Sequence, residues 1–195
     1  MRTLEFWFDF ASTYSYVAAM RVEALCQREG VALAWKPFLL GPIFTQQLGI
    51  KDSPFNSQPA RAKYMWRDLE RVSAKYALPF LKPAVFPQRS ILAARVVCAA
   101  EGQPWLGDYV RGVYTREFGE GHDIGQPDVI KSVLLALDVD AAQWLAAAES
   151  DANKLKLRAL TEEAGQRGIF GAPNMFIGGE HFFGQDRLDD ALAWR

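Results

Sequence analysis

Side chains for redox and metal chemistry are scarce in this chain: 195 residues carry two cysteines and two histidines. Cys26 and Cys98 lie far apart, each within an apolar helical pattern, so they read as small buried hydrophobes and argue against a disulfide framework. His122 and His181 are separated and lack carboxylates or thiols at ligand spacing, which predicts no metal site. No apolar run reaches the ~18 residues of a membrane span, and the N-terminus opens on a strand pattern rather than a secretory signal. Basic residues number 22 against 23 acidic ones, for a net charge of −1, and they form no stripe. Binding to nucleic acid or to an anionic membrane is therefore not expected. Repeats and low-complexity tracts are absent. These absences predict a soluble cytoplasmic protein whose partners are small molecules.

Apolar residues make up half of the chain and aromatics 13%, and the length suffices for one sizeable core. The organising stretch is Phe6 to Ala18, FWFDFASTYSYVA, which changes from strand-like to helix-like in its middle. Leu4, Phe6, Phe8 and Phe10 alternate with Glu5, Trp7 and Asp9, the pattern of an extended segment with one apolar face. From Ser15 the period lengthens, and Tyr16, Val17, Met20, Val22 and Leu25 leave mainly charged residues outside. Ser12 or Thr13 is then the helix N-cap. Free amides and the dipole at a helix start favour an anion in front of it. A plain capping hydroxyl is the competing reading.

Gly30 ends this helix, and Val31, Leu33 and Trp35 predict a second strand ending at Pro37, which completes a βαβ opening. Residues 39–59, rich in Gly, Pro, Ser and Asn, read as a loop holding one short helical turn. Ala60 to Tyr76 reads as a helix with Tyr64, Met65, Leu69 and Val72 inward. An extended connector follows through Pro79, Pro83 and Pro87. Helices are predicted over 90–101, 104–118, 127–136, 141–149 and 153–167. Two short strands, Asn174 to Gly178 and Glu180 to Phe183, flank a Gly178-Gly179 turn, and a helix from Gln185 to Trp194 closes the chain. Residues 1–40 and 151–195 thus frame an α/β domain that holds 41–150 as an all-helical insertion.

This order, with Gly171-Ala172-Pro173-Asn174 before the third strand, resembles a thioredoxin-like fold of the DsbA-like branch. Within that branch the chain is similar to the 2-hydroxychromene-2-carboxylate isomerases and the kappa-class glutathione transferases. The carrying pieces are FWFDFASTYSY, Tyr64-Met65, Arg67-Asp68-Leu69, Leu78-Pro79, Phe86-Pro87, Asp123-Ile124, GIFGAPNMF and FFGQDR. Redox members of the fold place Cys-x-x-Cys at the strand-to-helix turn. Here the slot reads Ser12-Thr13-Tyr14-Ser15, which excludes a thiol–disulfide oxidoreductase. The resemblance implies glutathione as cofactor, with Ser12 donating a hydrogen bond to its thiolate. Ala172-Pro173 falls at the family's cis-proline position. There the resemblance implies that the N–H and C=O of Ala172 pair with the cysteinyl backbone of glutathione, an ordinary turn being the alternative. Gln185 and Asp186 fall where the kappa enzymes hold the γ-glutamyl end; an acid complementing the helix dipole is the plainer reading of Asp186. Arg61 falls near the glycyl carboxylate position, with Lys63 as an equal substitute.

Two departures lie in loops that would shape the second substrate's pocket. Gly49-Ile50-Lys51-Asp52-Ser53-Pro54 replaces Gly-Asn-Lys-Pro-Pro, and Arg89 rather than Asn precedes Ser90. Lys51 and Arg89 become candidates for holding an acidic substrate. The implied reaction is glutathione-dependent isomerisation of an aromatic keto or enol acid, such as 2-hydroxychromene-2-carboxylate in aromatic catabolism. A kappa-like transferase and a thiol-free thioredoxin-like binding module remain alternatives, and a homodimer is left open.

Overall fold

A strand with large apolar side chains on both faces needs cover on both, and β1 (Thr3–Phe8) receives it along most of its length. The computed structural model describes residues 2–50 and 53–194. After β1 come α1 (Thr13–Arg28), β2 (Ala32–Pro37), α2 (Leu40–Leu48), α3 (Pro54–Ser57), α4 (Pro59–Lys75), α5 (Ile91–Ala99) and α6 (Leu106–Tyr114). Then follow α7 (Pro127–Ala136), α8 (Ala141–Ala148), α9 (Asp151–Gln166), β3 (Asn174–Ile177), β4 (Glu180–Phe183) and α10 (Leu188–Ala193). The strands form one mixed sheet in the order β2-β1-β3-β4, with β1 parallel to β2 and antiparallel to β3. Phe6 pairs with Trp35 on one side and with Met175 on the other.

One face of β1 sends Leu4, Phe6 and Phe8 into a core shared with Tyr16, Val17 and Val22 of α1 and with Tyr109, Val113 and Tyr114 of α6. The expected polar face is buried too. Trp7 is fully enclosed with Phe38, Ile43, Ala164 and Ile169, and Asp9 is equally buried. Glu5 on that face pairs with Arg167 and accepts from the Trp7 indole at 3.0 Å. Alternation in β1 thus marks two different cores, not a core and a solvent side.

Residues 39–59 hold two helices, α2 and α3, where a loop was expected. No local side chain caps α2; its cap position is Leu39. Distant groups serve instead, because the Asp9 carboxylate accepts from Leu40 N–H at 2.8 Å and Thr161 Oγ1 from Leu39 N–H at 3.2 Å. Further differences are smaller. Tyr64 is exposed rather than inward. The helix expected over 104–118 changes at its end into a π-helical turn, Thr115–Gly119. The last helix begins with a 3-10 turn, Gln185–Arg187. Cys26 and Cys98 are free and buried, and burial holds both thiols up at about 11. Among the described residues no helix is long and apolar enough to cross a membrane.

Asp9 ties these parts together. Its Oδ1 accepts from Ser90 Oγ at 2.6 Å and from Ala11 N–H at 3.0 Å, and its Oδ2 from Leu40 N–H. Its carbonyl accepts from Tyr114 Oη–H at 3.0 Å. Replacing Asp9 by Ala strands three donors in the interior, and urea denaturation is expected to show a loss of about 3 kcal/mol or more. A loss below about 1 kcal/mol would show that water replaces the carboxylate there.

Candidate active site

Beyond Phe8 the chain makes a tight turn, with Ser12 N–H donating to Asp9 O at 2.9 Å, and α1 begins. Ser12 has extended backbone angles and its Oγ accepts from Ser15 N–H at 3.3 Å, the geometry of an N-cap. The same hydroxyl donates to the carbonyl oxygen of Ala172 at 3.1 Å, although the two residues stand 160 positions apart. The Ala172–Pro173 bond is cis, and so is Phe86–Pro87. Ser12 and Ala172 therefore meet beside the cis bond to Pro173. One detail differs: the Ala172 C=O faces the serine hydroxyl rather than standing free, while no described residue accepts from the Ala172 N–H.

The turn around Pro173 is pinned at each carbonyl. Asn174 Nδ2 donates to Gly171 O at 2.6 Å, and Gly184 N–H donates to Pro173 O at 3.0 Å. Asn174 is fully buried, and its Oδ1 lies 2.7 Å from His181 Nε2. The His181 ring stacks on Phe176, with centroids 4.4 Å apart. A Cβ at Gly171 would come within 2.8 Å of the Phe183 ring, which would have to move aside.

The other predicted residues are placed less tightly. Asp186 is exposed beside Gly184, and its charge acts on Tyr14 from across the site. Gln185 Oε1 is buried and has no hydrogen-bond partner among the described residues. Arg61 is exposed, its guanidinium 5.2 Å from the centroid of the Phe55 ring. Arg89 is exposed next to buried Ser90. Lys51 lies outside the described residues.

Sequence reasoning missed several groups around Ser12. Tyr14 donates to Asp68 Oδ2 at 2.9 Å, joining α1 to α4; burial, then Asp68, raises the phenol's pKa and keeps it a donor. Thr13 Oγ1 meets Met65 Sδ at 3.4 Å. Asp9 could have been suspected as a lone acid between aromatics just before the turn. Its pKa lies above the usual carboxylate range, because burial outweighs its three donors. Glu117, on the π-helical turn, gives no sequence signal. Both its carboxyl oxygens are buried without a partner among the described residues. Burial, then the charges of Asp9 and Asp123, raises its pKa well above normal.

Comparison with known proteins agrees with this fold. Residues 3–193 match the DSBA-like thioredoxin domain. A 2-hydroxychromene-2-carboxylate isomerase of Sphingobium xenophagum is 32% identical over 191 residues, covering 96% of this chain and 95% of its own. Glutathione S-transferase kappa 2 of Caenorhabditis elegans is 28% identical, over 96% of this chain and 88% of its own. A solved 2-hydroxychromene-2-carboxylate isomerase superposes with a TM-score of 0.87 at 26% identity, covering 96% of this chain and 91% of the other. Fold and site define a DsbA-like thioredoxin protein with hydroxyls in the thiol slot. The chain belongs to that family, in the branch of the 2-hydroxychromene-2-carboxylate isomerases.

Glu117 generates a pH-dependent expectation. Its folded pKa is raised, so as pH climbs past the ordinary carboxylate value the unfolded chain releases a proton that the folded one keeps. Stability is lost over that range, at about 1.4 kcal/mol per unit of difference. Glu117→Gln cannot ionise and should melt higher than the native protein at pH 8, with the gap closing toward pH 4. An unchanged melting profile would mean that Glu117 ionises freely in the folded state.

Proposed function

We propose that the protein is a glutathione-dependent isomerase of an aromatic keto or enol acid, with 2-hydroxychromene-2-carboxylate as the leading substrate. The observation that carries this reading is the meeting of Ser12, at a helix start, with the cis Ala172–Pro173 turn, in a slot without any thiol. Relatives bearing the isomerase and kappa transferase names support it. Glutathione would supply a thiolate able to add to an unsaturated carbon and leave it again, so that a bond can rotate between the two events without net oxidation.

The described residues fit such a tripeptide. The Ala172 N–H is available for a backbone acceptor, and Gln185 Oε1 is a buried acceptor still lacking a donor. Asp186 offers a carboxylate to the γ-glutamyl ammonium, and Arg61 or Lys63 a cation to the glycyl end. Ser12 stands at the positive end of α1, where its hydroxyl and the adjacent amides stabilise an anionic sulfur. Arg89, with Lys51, would hold the acidic substrate. Two free cysteines, both buried, suit the reducing cytoplasm in which we place the protein.

Glutathione at about a hundred times its Kd should stabilise the fold by about 2.7 kcal/mol, read as a rise in melting temperature. The absence of any shift at roughly 10 mM glutathione, a saturating concentration for a cytosolic cofactor, would count against the reading. Ser12→Ala should still bind glutathione, while the bound thiol's pKa rises by about one to two units, in line with a lost charge-assisted hydrogen bond. Turnover near neutral pH would fall and partly recover at higher pH; unchanged thiolate absorbance would leave Ser12 as a cap alone. Asp186→Ala should raise KM for glutathione and leave kcat largely intact, since the contact is remote from the sulfur. An equal fall in kcat would move Asp186 into the chemistry or the fold. Turnover that ends in a released thioether would favour the transferase alternative.

A further inference from the structure

The Ser12 hydroxyl has one proton, and in this structure that proton is already in use. It is donated to Ala172 O at 3.1 Å, while Ser15 N–H occupies one of the oxygen's lone pairs. A hydrogen bond from Ser12 to a sulfur requires the same proton, so the hydroxyl must first leave the Ala172 carbonyl. Leaving it bare is costly, because the carbonyl is half-buried and Ser12 itself almost wholly so. Among the described residues, the side-chain and backbone donors nearest that turn are already committed. The Asn174 amide is committed to Gly171 O and locked on its other side by His181. Gly184 N–H is committed to Pro173 O. Of three successive carbonyls, only the middle one is held by a group that can turn away.

We propose that Ser12 and Ala172 block one another, and that an incoming amide N–H, by taking the Ala172 carbonyl, releases the Ser12 hydroxyl toward sulfur. Ser12 would then serve only thiols that carry a neighbouring peptide amide, the cysteinyl peptides, and leave simple alkyl thiols unassisted. The device makes Ser12 and Ala172 jointly the determinants of thiol specificity. It rests on the glutathione reading and adds to it the order in which the groups engage.

Titration calorimetry with two ligands and two proteins tests it: glutathione and its sulfur-free analogue γ-glutamyl-alanyl-glycine, each against the native protein and Ser12→Ala. Glutathione, at a pH where its bound thiol is ionised, should prefer the native protein. The sulfur-free tripeptide should show the reverse preference and bind Ser12→Ala about two- to tenfold more tightly, the worth of one hydrogen bond that no longer has to be broken. Ser12→Gly, which keeps most of the capping stability, should repeat the result. Equal binding of the sulfur-free tripeptide to native and variant proteins, or tighter binding to the native one, overturns the mutual block while leaving the glutathione reading standing. Failure of glutathione itself to bind the native protein overturns both.

Discussion

A single carboxylate, Asp9, decides how the segments around the site can be arranged. It lies at the end of the central strand, away from water, and it organises four pieces of chain through its side chain and its carbonyl. These are its own turn at Ala11, the start of α2 at Leu40, the end of the proline connector at Ser90, and Tyr114 of α6. Burying an acid is unfavourable unless donors surround it. Here every donor comes from an element that would otherwise have an unpaired group of its own, so one desolvation cost is offset by satisfying several orphans. The helix start at Leu40 follows from this, since it has no side-chain cap of its own.

The same turn aims Ser12. Because Ser12 N–H bonds to Asp9 O, the hydroxyl sits between the first amides of α1 and the cis-proline turn. A thiol in this place would be acidified into a redox nucleophile. A hydroxyl cannot ionise at neutral pH, so it can only share a proton with an anion brought from outside. The architecture is a DsbA-like thioredoxin fold with hydroxyls where thiols would stand.

Much of this was legible in the sequence. The strand-turn-helix at 6–18 shows a change of period, Ser12 is a capping residue type at the right place, and Gly171-Ala172-Pro173 precedes a strand whose partner follows a Gly-Gly turn. Those signals are local. Asp9 was hidden because period-2 alternation assigns it to a solvent face, whereas the central strand has none. Helix α2 was hidden because its caps come from Asp9 and Thr161, groups 31 and 122 residues away from those they serve. Tyr64 misled for the opposite reason: helical spacing put it beside Met65 on paper, but α4 packs along only a narrow stripe through Met65, Leu69 and Ser73. The Asn174–His181 pair depends on strand register, which neither residue type announces.

The π-helical turn at Thr115–Gly119 has a consequence for how this chain can change. Such a turn accommodates one residue more than the regular helix it interrupts. Deleting one residue there would close the turn to α-helical spacing, and the residues of the turn itself would change the way they face. Glu117 would swing away from the interior, and Phe118 would lose its stacking on Tyr16 and Tyr114. The extra residue in the turn thus sets which side chains of this segment face the interior, so a change of length would alter that facing even with every residue type kept.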